Sequence, residues 1–326
     1  MRAYIIRRLL LVIPTLFLVS VLVFLMIRLI PGDIVVLMLR SRGHPSLTDR
    51  AALEQELGFD VPVLKQYGRW VGVVRDRDGS FSGVLQGDLG DSLWKHTPVV
   101  DEIVDRVPVS LELGILAMLL LLIISLPIGI YSAIRQDSRG DYAGRNLATV
   151  LIALPNFWVG LMIILLGSLW FGLSPPLRLI SFTEDPIGNL GQFIIPAFIM
   201  GMAETGMTVR MIRSMMLEVL RQDYIRTAWS KGLRERVVTM RHALKNALIP
   251  VITLIGMQIP YMLGGAVIVE TIFNLPGLGR LLVEATLERD YTVVSGVVFS
   301  FAVLLILTNI AVDLTYAYLD PRIRYR

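Results

Sequence analysis

Cysteine is absent from the 326 residues, histidine occurs three times, and charged residues make up only 18% of the chain. The missing cysteine excludes disulfides, thiolate nucleophiles, iron–sulfur clusters and cysteine-ligated zinc. His44, His96 and His242 are far apart in sequence, so no multi-histidine metal site is expected. The scarcity of charge excludes more, because a soluble chain carries about a quarter charged residues. Also missing are a phosphate-cradling G-x-x-x-x-G-K-[ST] loop, a G-x-S-x-G nucleophile elbow and an H-E-x-x-H zinc motif. No means of hydrolysing ATP is visible, and the chain reads as a non-enzyme.

Apolar length fills the place of charge. Hydrophobic residues make up 54% of the sequence and the mean hydropathy is +0.65, which indicates an integral membrane protein. A spanning helix needs about 20 apolar residues. Six such runs occur, over residues 9–30, 111–133, 148–171, 193–211, 249–272 and 293–316. A signal peptide also has a basic start, but its apolar core is ~7–15 residues. The first run is longer and ends in Arg28-Leu-Ile-Pro-Gly-Asp33. The net charge of +4 suggests contact with anionic lipid headgroups. No aromatic-interleaved basic patch points to nucleic acid.

Lysine and arginine concentrate on the cytoplasmic side of membrane proteins. Arg2, Arg7 and Arg8 precede the first run, Arg135, Arg139 and Arg145 separate the second from the third, and Asp320-Pro-Arg-Ile-Arg-Tyr-Arg326 closes the chain. Residues 31–110 and 173–192 fall outside on this pattern, and both termini fall inside. The domain organisation expected is residues 1–30, an extracytoplasmic segment 31–110, and a five-helix core 111–326 containing a cytoplasmic loop at 217–250.

Within the outer segment, Thr48 starts a short helical pattern that Gly58 can end, and residues 73–82 read as an exposed turn. Thr97 and Pro98 read as a cap before a helix with Val99, Val100, Ile103, Val104 and Val107 on one face. That helix is expected to lie on the outer leaflet, with a small soluble subdomain as the alternative. Asn274-Leu-Pro-Gly-Leu-Gly279 predicts a tight turn, then a short helix with Leu281, Leu282, Ala285 and Leu287 facing inward.

The 217–250 loop organises the rest. It carries Arg221, Arg226, Lys231, Arg234, Arg236, Arg241 and Lys245 against Glu218, Asp223 and Glu235. A helix to about Lys231, a break at Gly232 and a second helix would form a compact knob. Charge alone favours a loop that merely sets topology. The stretch Arg226-Thr-Ala-Trp-Ser-Lys-Gly232, however, resembles the E-A-A-x-x-x-G loop of ABC importer inner-membrane subunits. Asp223-Tyr-Ile-Arg-Thr-Ala, Lys231-Gly-Leu and Arg241-His-Ala-Leu-Lys-Asn-Ala-Leu-Ile-Pro250 resemble the dipeptide/oligopeptide branch of that family. So do Ile30-Pro-Gly-Asp33, Gln86-Gly-Asp-Leu-Gly90 and the stretch from Glu270 to Leu282. Ala228 and Gly232 match the general motif, whereas Arg226 and Thr227 stand where it has Glu and Ala.

This resemblance implies an all-α fold of the type I importer permease and a prokaryotic inner-membrane location. It implies a pore-forming subunit that imports peptides or related small solutes. The partners implied are a homologous second permease, two ATP-binding subunits that bind ATP and Mg, and an extracytoplasmic substrate-binding protein. The docking residues for an ATPase subunit would be Tyr224, Arg226, Thr227, Ala228, Ser230, Lys231, Gly232 and Leu233. The chain itself would bind no cofactor or metal.

Polar groups inside the runs are candidates for lining a pathway. Glu204 lies ~9 Å deeper in its helix than Arg210 and would be costly against lipid. Asn156, Gln258 and Tyr261 are weaker candidates. Asp313 reads as structural. Gly160, Gly167, Gly256, Gly264 and Gly265 read as sites of close helix packing, and Pro14, Pro127, Pro155, Pro196 and Pro260 as possible kinks. A self-sufficient transporter or channel driven by an ion gradient, with Glu204 as its proton site, is the alternative.

Overall fold

Backbone amides within lipid have no water to bond, so a spanning chain satisfies them inside helices. A computed structural model describes residues 2–29, 50, 54–55, 60–76, 79–172, 176 and 178–319. Its regular elements are helical, apart from an isolated bridge between Asp91 and Pro98. In chain order they are α1 (Arg2–Leu29), α2 (Val63–Val71), α3 (Val99–Ile134), α4 (Arg139–Ala153) and α5 (Asn156–Phe171). There follow α6 (Pro186–Leu220), α7 (Asp223–Ser230), α8 (Leu244–Ile272), α9 (Leu278–Glu288) and α10 (Tyr291–Leu319). The Ile30–Asp33 exit, His44, most of the expected 48–58 helix and the tail from Asp320 lie outside the described residues. So does the side chain of Asp313.

Among the described residues, Val99–Ile134, Pro186–Leu220, Glu235–Met262 and Tyr291–Val312 are each long and apolar enough to cross a membrane. The third expected span is the pair α4 and α5, bent by 94°. Of the six expected, the first contains a shorter apolar stretch, Leu10–Leu25. The bend has a local cause. Pro155 offers no amide and disfavours helical backbone in the residue before it. Leu154 and Pro155 are both extended, and α5 restarts at Asn156. Pro14, Pro127, Pro196 and Pro260 all sit within continuous helices instead.

The helix expected on the outer leaflet is not separate: α3 runs unbroken for 36 residues through Pro108. At 1.5 Å per residue it measures ~54 Å, well beyond a ~30 Å hydrocarbon core. Its start also differs from expectation. Pro98 occupies the cap position, while the Thr97 hydroxyl donates to Glu102 Oε1 at 2.8 Å. Val99 and Ile103 are buried, but Val104 points to the exterior.

The chain forms two compact units. One comprises residues 108–280 and 307–326. Here α6 packs along both α4 and α8. One apolar cluster joins Leu113, Leu121, Phe193, Ile199 and Phe273, and a second joins Ile130, Ile212, Met216, Ile225, Val238 and Val251. Small residues let the backbones approach. A Cβ at Gly206 would sit 2.6 Å from the Ala148 carbonyl oxygen, and one at Gly129 2.7 Å from Ile212 Cβ. Three of the glycines expected in that role do not require it: Gly264 faces open space, and Gly160 and Gly265 have room for a methyl.

The other unit comprises residues 2–107 and 281–306. Phe24, Tyr67, Trp70 and Phe299 form an aromatic cluster, and Ser20 shares a 2.8 Å hydrogen bond with the Tyr67 hydroxyl. Buried Asp290 accepts from Ser92 Oγ at 2.6 Å, Leu93 N at 3.0 Å and Val293 N at 3.2 Å. In the 73–82 segment, Gly79 N donates to Asp76 O and Asp76 N to Ser80 O, closing an exposed turn.

Gly206→Ala is expected to destabilise the α4–α6 contact by ~1–3 kcal/mol, the range for overpacking. Gly114→Ala, with nothing within 4 Å of the added methyl, should be neutral or stabilise by a few tenths to ~1 kcal/mol. Thermal unfolding of the two variants in detergent checks the contrast.

Candidate functional site

The loop between α6 and α8 folds as an elbow. After α6 ends at Leu220, Gln222 is extended and α7 starts at Asp223, whose negative charge suits a helix N-terminus. Ile225 and Ala228, three residues apart, are the buried face of α7. Both enter the cluster that contains Ile130 of α3, Ile212 and Met216 of α6, and Val251 of α8. Gly232 then takes φ +74°, a conformation that a β-carbon opposes, and Arg234 is extended. A short turn (Glu235–Val237) and one turn of π-helix (Val238–Ala243) lead into α8. Asn246 Nδ2 donates to the Tyr224 hydroxyl at 3.0 Å and ties α7 to α8.

The expected docking residues divide by face. Tyr224, Arg226, Thr227, Ser230, Lys231 and Gly232 are exposed, and so is Trp229. Leu233 is half-buried. Ala228 is a correction: at 7% exposure it packs into the protein's own core, since it shares the inward face with Ile225. The Arg226–Asp223 pair at 3.5 Å is solvent-exposed at both ends and contributes little. The outward surface of the elbow is thus polar and aromatic, and its inward surface packs on the Val238–Ala243 turn within an apolar cluster that α3, α6 and α8 also enter.

Three of the four expected pathway residues come together. Asn156 Nδ2 donates to Met200 O at 3.3 Å. Gln258 Nε2 donates to the Glu204 carbonyl at 3.4 Å, and Thr208 Oγ1 donates to Gln258 Oε1 at 3.3 Å. All of these groups lie on or against one stretch of α6, residues 200–208. Glu204 itself is partly buried, and its Oε2 has no hydrogen-bond partner. Tyr261 is not part of this group; it is 74% exposed.

Two polar arrangements carry no signal that the sequence patterns isolate. Asp141, fully buried at the start of α4, receives two 2.7 Å hydrogen bonds from Arg213 of α6, through Nε and Nη2. The spacing between positions 141 and 213 gives no hint of the pairing, although an arginine near the end of an apolar run is a reason to look for a partner.

The second arrangement surrounds Glu270, also fully buried. Ser110 Oγ donates to its Oε1 at 2.6 Å, and the amides of Gly279 and Arg280 donate to its Oε2 at 2.7 and 3.1 Å. Ser110 Oγ in turn accepts from Leu278 N at 2.8 Å. The Asn274–Gly279 turn therefore wraps a carboxylate. Its glycines are required by closeness, because a β-carbon at Gly277 would strike the Glu270 carboxyl and one at Gly279 the Val267 backbone. The following helix is α9, whose Leu281 and Ala285 are buried as expected. Leu287 is not: it is 80% exposed.

Comparison with known proteins places this architecture. Residues 125–325 match the family model described as "Binding-protein-dependent transport system inner membrane component". Residues 1–114 match the model for the N-terminal part of such membrane components. The chain is 40% identical over 349 residues to the dipeptide transport system permease protein DppB of Escherichia coli strain K12, covering 100% of both chains. It is 39% identical over 328 residues to the oligopeptide transport system permease protein AppB of Bacillus subtilis strain 168, again covering 100% of both. Its fold resembles an inward-facing structure of the MetNI methionine ABC transporter, with a TM-score of 0.54 at 14% identity, over 67% of this chain and 96% of that one. A crystal structure of an amino acid ABC transporter is similar at a TM-score of 0.52, 15% identity and 67% and 94% coverage.

Glu270→Ala would orphan the buried amides of Gly279 and Arg280, at ~1–3 kcal/mol for each. Glu270→Gln keeps a carbonyl that can accept from both and should lose much less. Thermal unfolding together with protease cutting at residues 274–279 tests this. Equal losses in the two variants would show that the carboxylate does not organise the turn.

Proposed function

This chain belongs to the family of binding-protein-dependent transport system inner membrane components, and from that premise we propose that it forms half of the pathway of a peptide importer. Relatives that match over their full length are named for dipeptide and oligopeptide transport, which supports peptides as the cargo class. The other half would be a second, homologous permease. A binding protein would deliver cargo from outside, and two ATP-binding subunits would dock on the elbow from the cytoplasm. The ion-gradient alternative has no support from a binding-protein-dependent family.

The observation that carries the mechanism is the two-faced elbow. Its outer face presents Tyr224, Arg226, Thr227, Ser230 and Lys231, while Ile225 and Ala228 are buried in an apolar cluster that includes Val238 and residues of α3, α6 and α8. Force applied to the outside of such a piece is transmitted to the spanning helices, because packed apolar side chains deform little. Approach of two ATPase subunits on binding ATP would draw the two elbows together and tilt the helices towards an outward-open state. Hydrolysis would reset them. The membrane polar group around Glu204, Asn156 and Gln258 is the proposed pathway lining in this scheme, and Tyr261 is omitted from it.

Replacing Gly232 by proline, or reversing the charge of Lys231 and Arg234 together, should reduce substrate-stimulated ATPase activity about tenfold or more. That corresponds to loss of ~1.4 kcal/mol at the docking face. Membrane insertion and amounts of the chain should be unchanged. Normal stimulated ATPase and uptake in both variants would exclude the elbow as the coupling element.

Orientation is tested separately, and the absence of cysteine makes the test simple. Single variants Thr227→Cys and Leu287→Cys should react with a membrane-impermeant maleimide from opposite sides. Thr227→Cys should react only in inside-out vesicles and Leu287→Cys only in intact cells or spheroplasts. The reverse pattern would invert the topology.

A further inference from the structure

A cavity between α4, α6 and α8 takes no part in the coupling scheme. It measures about 640 Å³, within the ~300–1,000 Å³ typical of ligand sites. Arg145, Arg210 and Arg213 line it together with Met207, Met211 and Leu254. The arginines are not equivalent. Arg213 is committed to Asp141 by its two 2.7 Å bonds. Arg145 stacks over the Tyr142 ring at 5.4 Å, and the carboxylate whose field it feels, that of Asp141, is already bonded to Arg213. Arg210 is exposed and makes no ion pair among the described residues. No carboxylate lines the cavity, and that of Asp141, the partner of the lining residue Arg213, is already taken by it. Two guanidinium groups thus face a space whose remaining wall includes two thioethers and a leucine.

That combination selects an amphiphile with an anionic head. A planar guanidinium matches two oxygens of a phosphate at once. An apolar wall beside it suits hydrocarbon rather than a free, fully hydrated anion. Unpaired arginines near apolar helix surface are costly without a counter-charge, and basic pockets between spanning helices bind anionic headgroups.

We propose that this cavity is a binding site for an anionic phospholipid, with its phosphodiester between Arg145 and Arg210 and its first acyl segment against Met207, Met211 and Leu254. The site would be occupied by a lipid such as phosphatidylglycerol, and the bound lipid would brace α4 against α6 beside the Asp141–Arg213 pair. The inference rests on the chain being set in a bilayer and does not need the elbow to couple to an ATPase.

The test uses the intact transporter, co-expressed with its companion subunits and placed in nanodiscs of phosphatidylcholine with a minor fraction of phosphatidylglycerol. Lipid that stays bound after detergent extraction is then counted by native mass spectrometry. Wild type should retain phosphatidylglycerol selectively, and Arg145→Gln/Arg210→Gln should retain it about tenfold less or weaker still. The single variant Arg210→Gln, at an exposed position, should show a partial loss and serves if the double variant does not fold. Arg226→Gln/Lys231→Gln, on the elbow, should retain lipid as wild type does. Because nanodiscs present both leaflets and retention is read without ATP, failure of the orientation or coupling readings would leave this result unaffected. Equal phosphatidylglycerol retention in wild type and Arg145→Gln/Arg210→Gln overturns the proposal. So does wild type that retains none, the result expected if a companion subunit fills the cavity. Displacement of wild-type lipid by millimolar inorganic phosphate would also overturn it, by showing a site for free anion alone.

Discussion

The insertion of Ile225 and Ala228 into a cluster shared by α3, α6 and α8 is the contact on which the rest depends. Without it, residues 217–250 would be a charged loop that sets topology and nothing more. Burial of Ile225 at 0% exposure stabilises by roughly 1.5–3 kcal/mol. That is modest in energy, but the geometry matters more: one short helix packs on the Val238–Ala243 turn, inside an apolar cluster to which three long helices also contribute. The Tyr224–Asn246 hydrogen bond adds a polar tie on the side the apolar face does not cover. Gly232 is what allows the chain to turn and come back to α8 so soon, since it adopts the one backbone region at this point that other residues resist. The stretch that looks most like a surface feature is therefore anchored by a buried face of its own.

The same economy governs polar groups along the long helices. In lipid, each such group either finds a partner within the protein or is costly. Asp141 and Arg213 solve this as a bidentate pair between α4 and α6, which breaking one partner would turn into an uncompensated charge. Glu270 solves it differently, by accepting backbone amides from a turn that glycine alone permits so close. Both solutions fix the relation of elements far apart in sequence. Position 270 holds the start of α9, and position 213 holds the start of α4. In each case the carboxylate is fully buried, so its role is to determine one arrangement rather than to meet solvent or ligand.

Much of this was legible in the residues and some was not, for identifiable reasons. The elbow was readable because its signals are local: a basic run, a helical spacing of apolar residues and a glycine at the break. Five of the six apolar runs have helices or helix pairs of spanning length for the same reason, and α1 carries the shorter stretch Leu10–Leu25. The bend at Pro155 looked no different from the prolines at 127 or 196, because what separates them is that Leu154 as well as Pro155 is extended, and that depends on packing. The outer amphipathic helix continues into α3 through Pro108, a continuity that the change from an amphipathic to a wholly apolar pattern does not announce. Ala228 is a docking residue only by the family resemblance and lies on the buried face, and Leu287, expected inward by its spacing, is exposed, since spacing fixes a helix's buried side only when its neighbours are known. Glycine was misread in the same way. Close approach occurs at Gly129 and Gly206, where facing residues happen to meet, and the sequence does not say which of many glycines those are.

The arginines show how one residue type takes separate duties within a few turns of helix. Arg213 is a structural ion-pair partner, Arg226 and Lys231 project from the elbow, and Arg145 and Arg210 look into a cavity walled by methionine and leucine. A charge-counting rule treats them alike, because it responds only to their sum on one side of the bilayer. The structure separates them by what surrounds each guanidinium: a buried carboxylate for Arg213, an exposed pair with Asp223 for Arg226, and a cavity lined by methionine, leucine, threonine and serine for Arg145 and Arg210. The last of these environments is the least self-sufficient. Two cations beside methionine and leucine favour a molecule that is anionic at one end and hydrocarbon at the other, and a bilayer supplies such molecules.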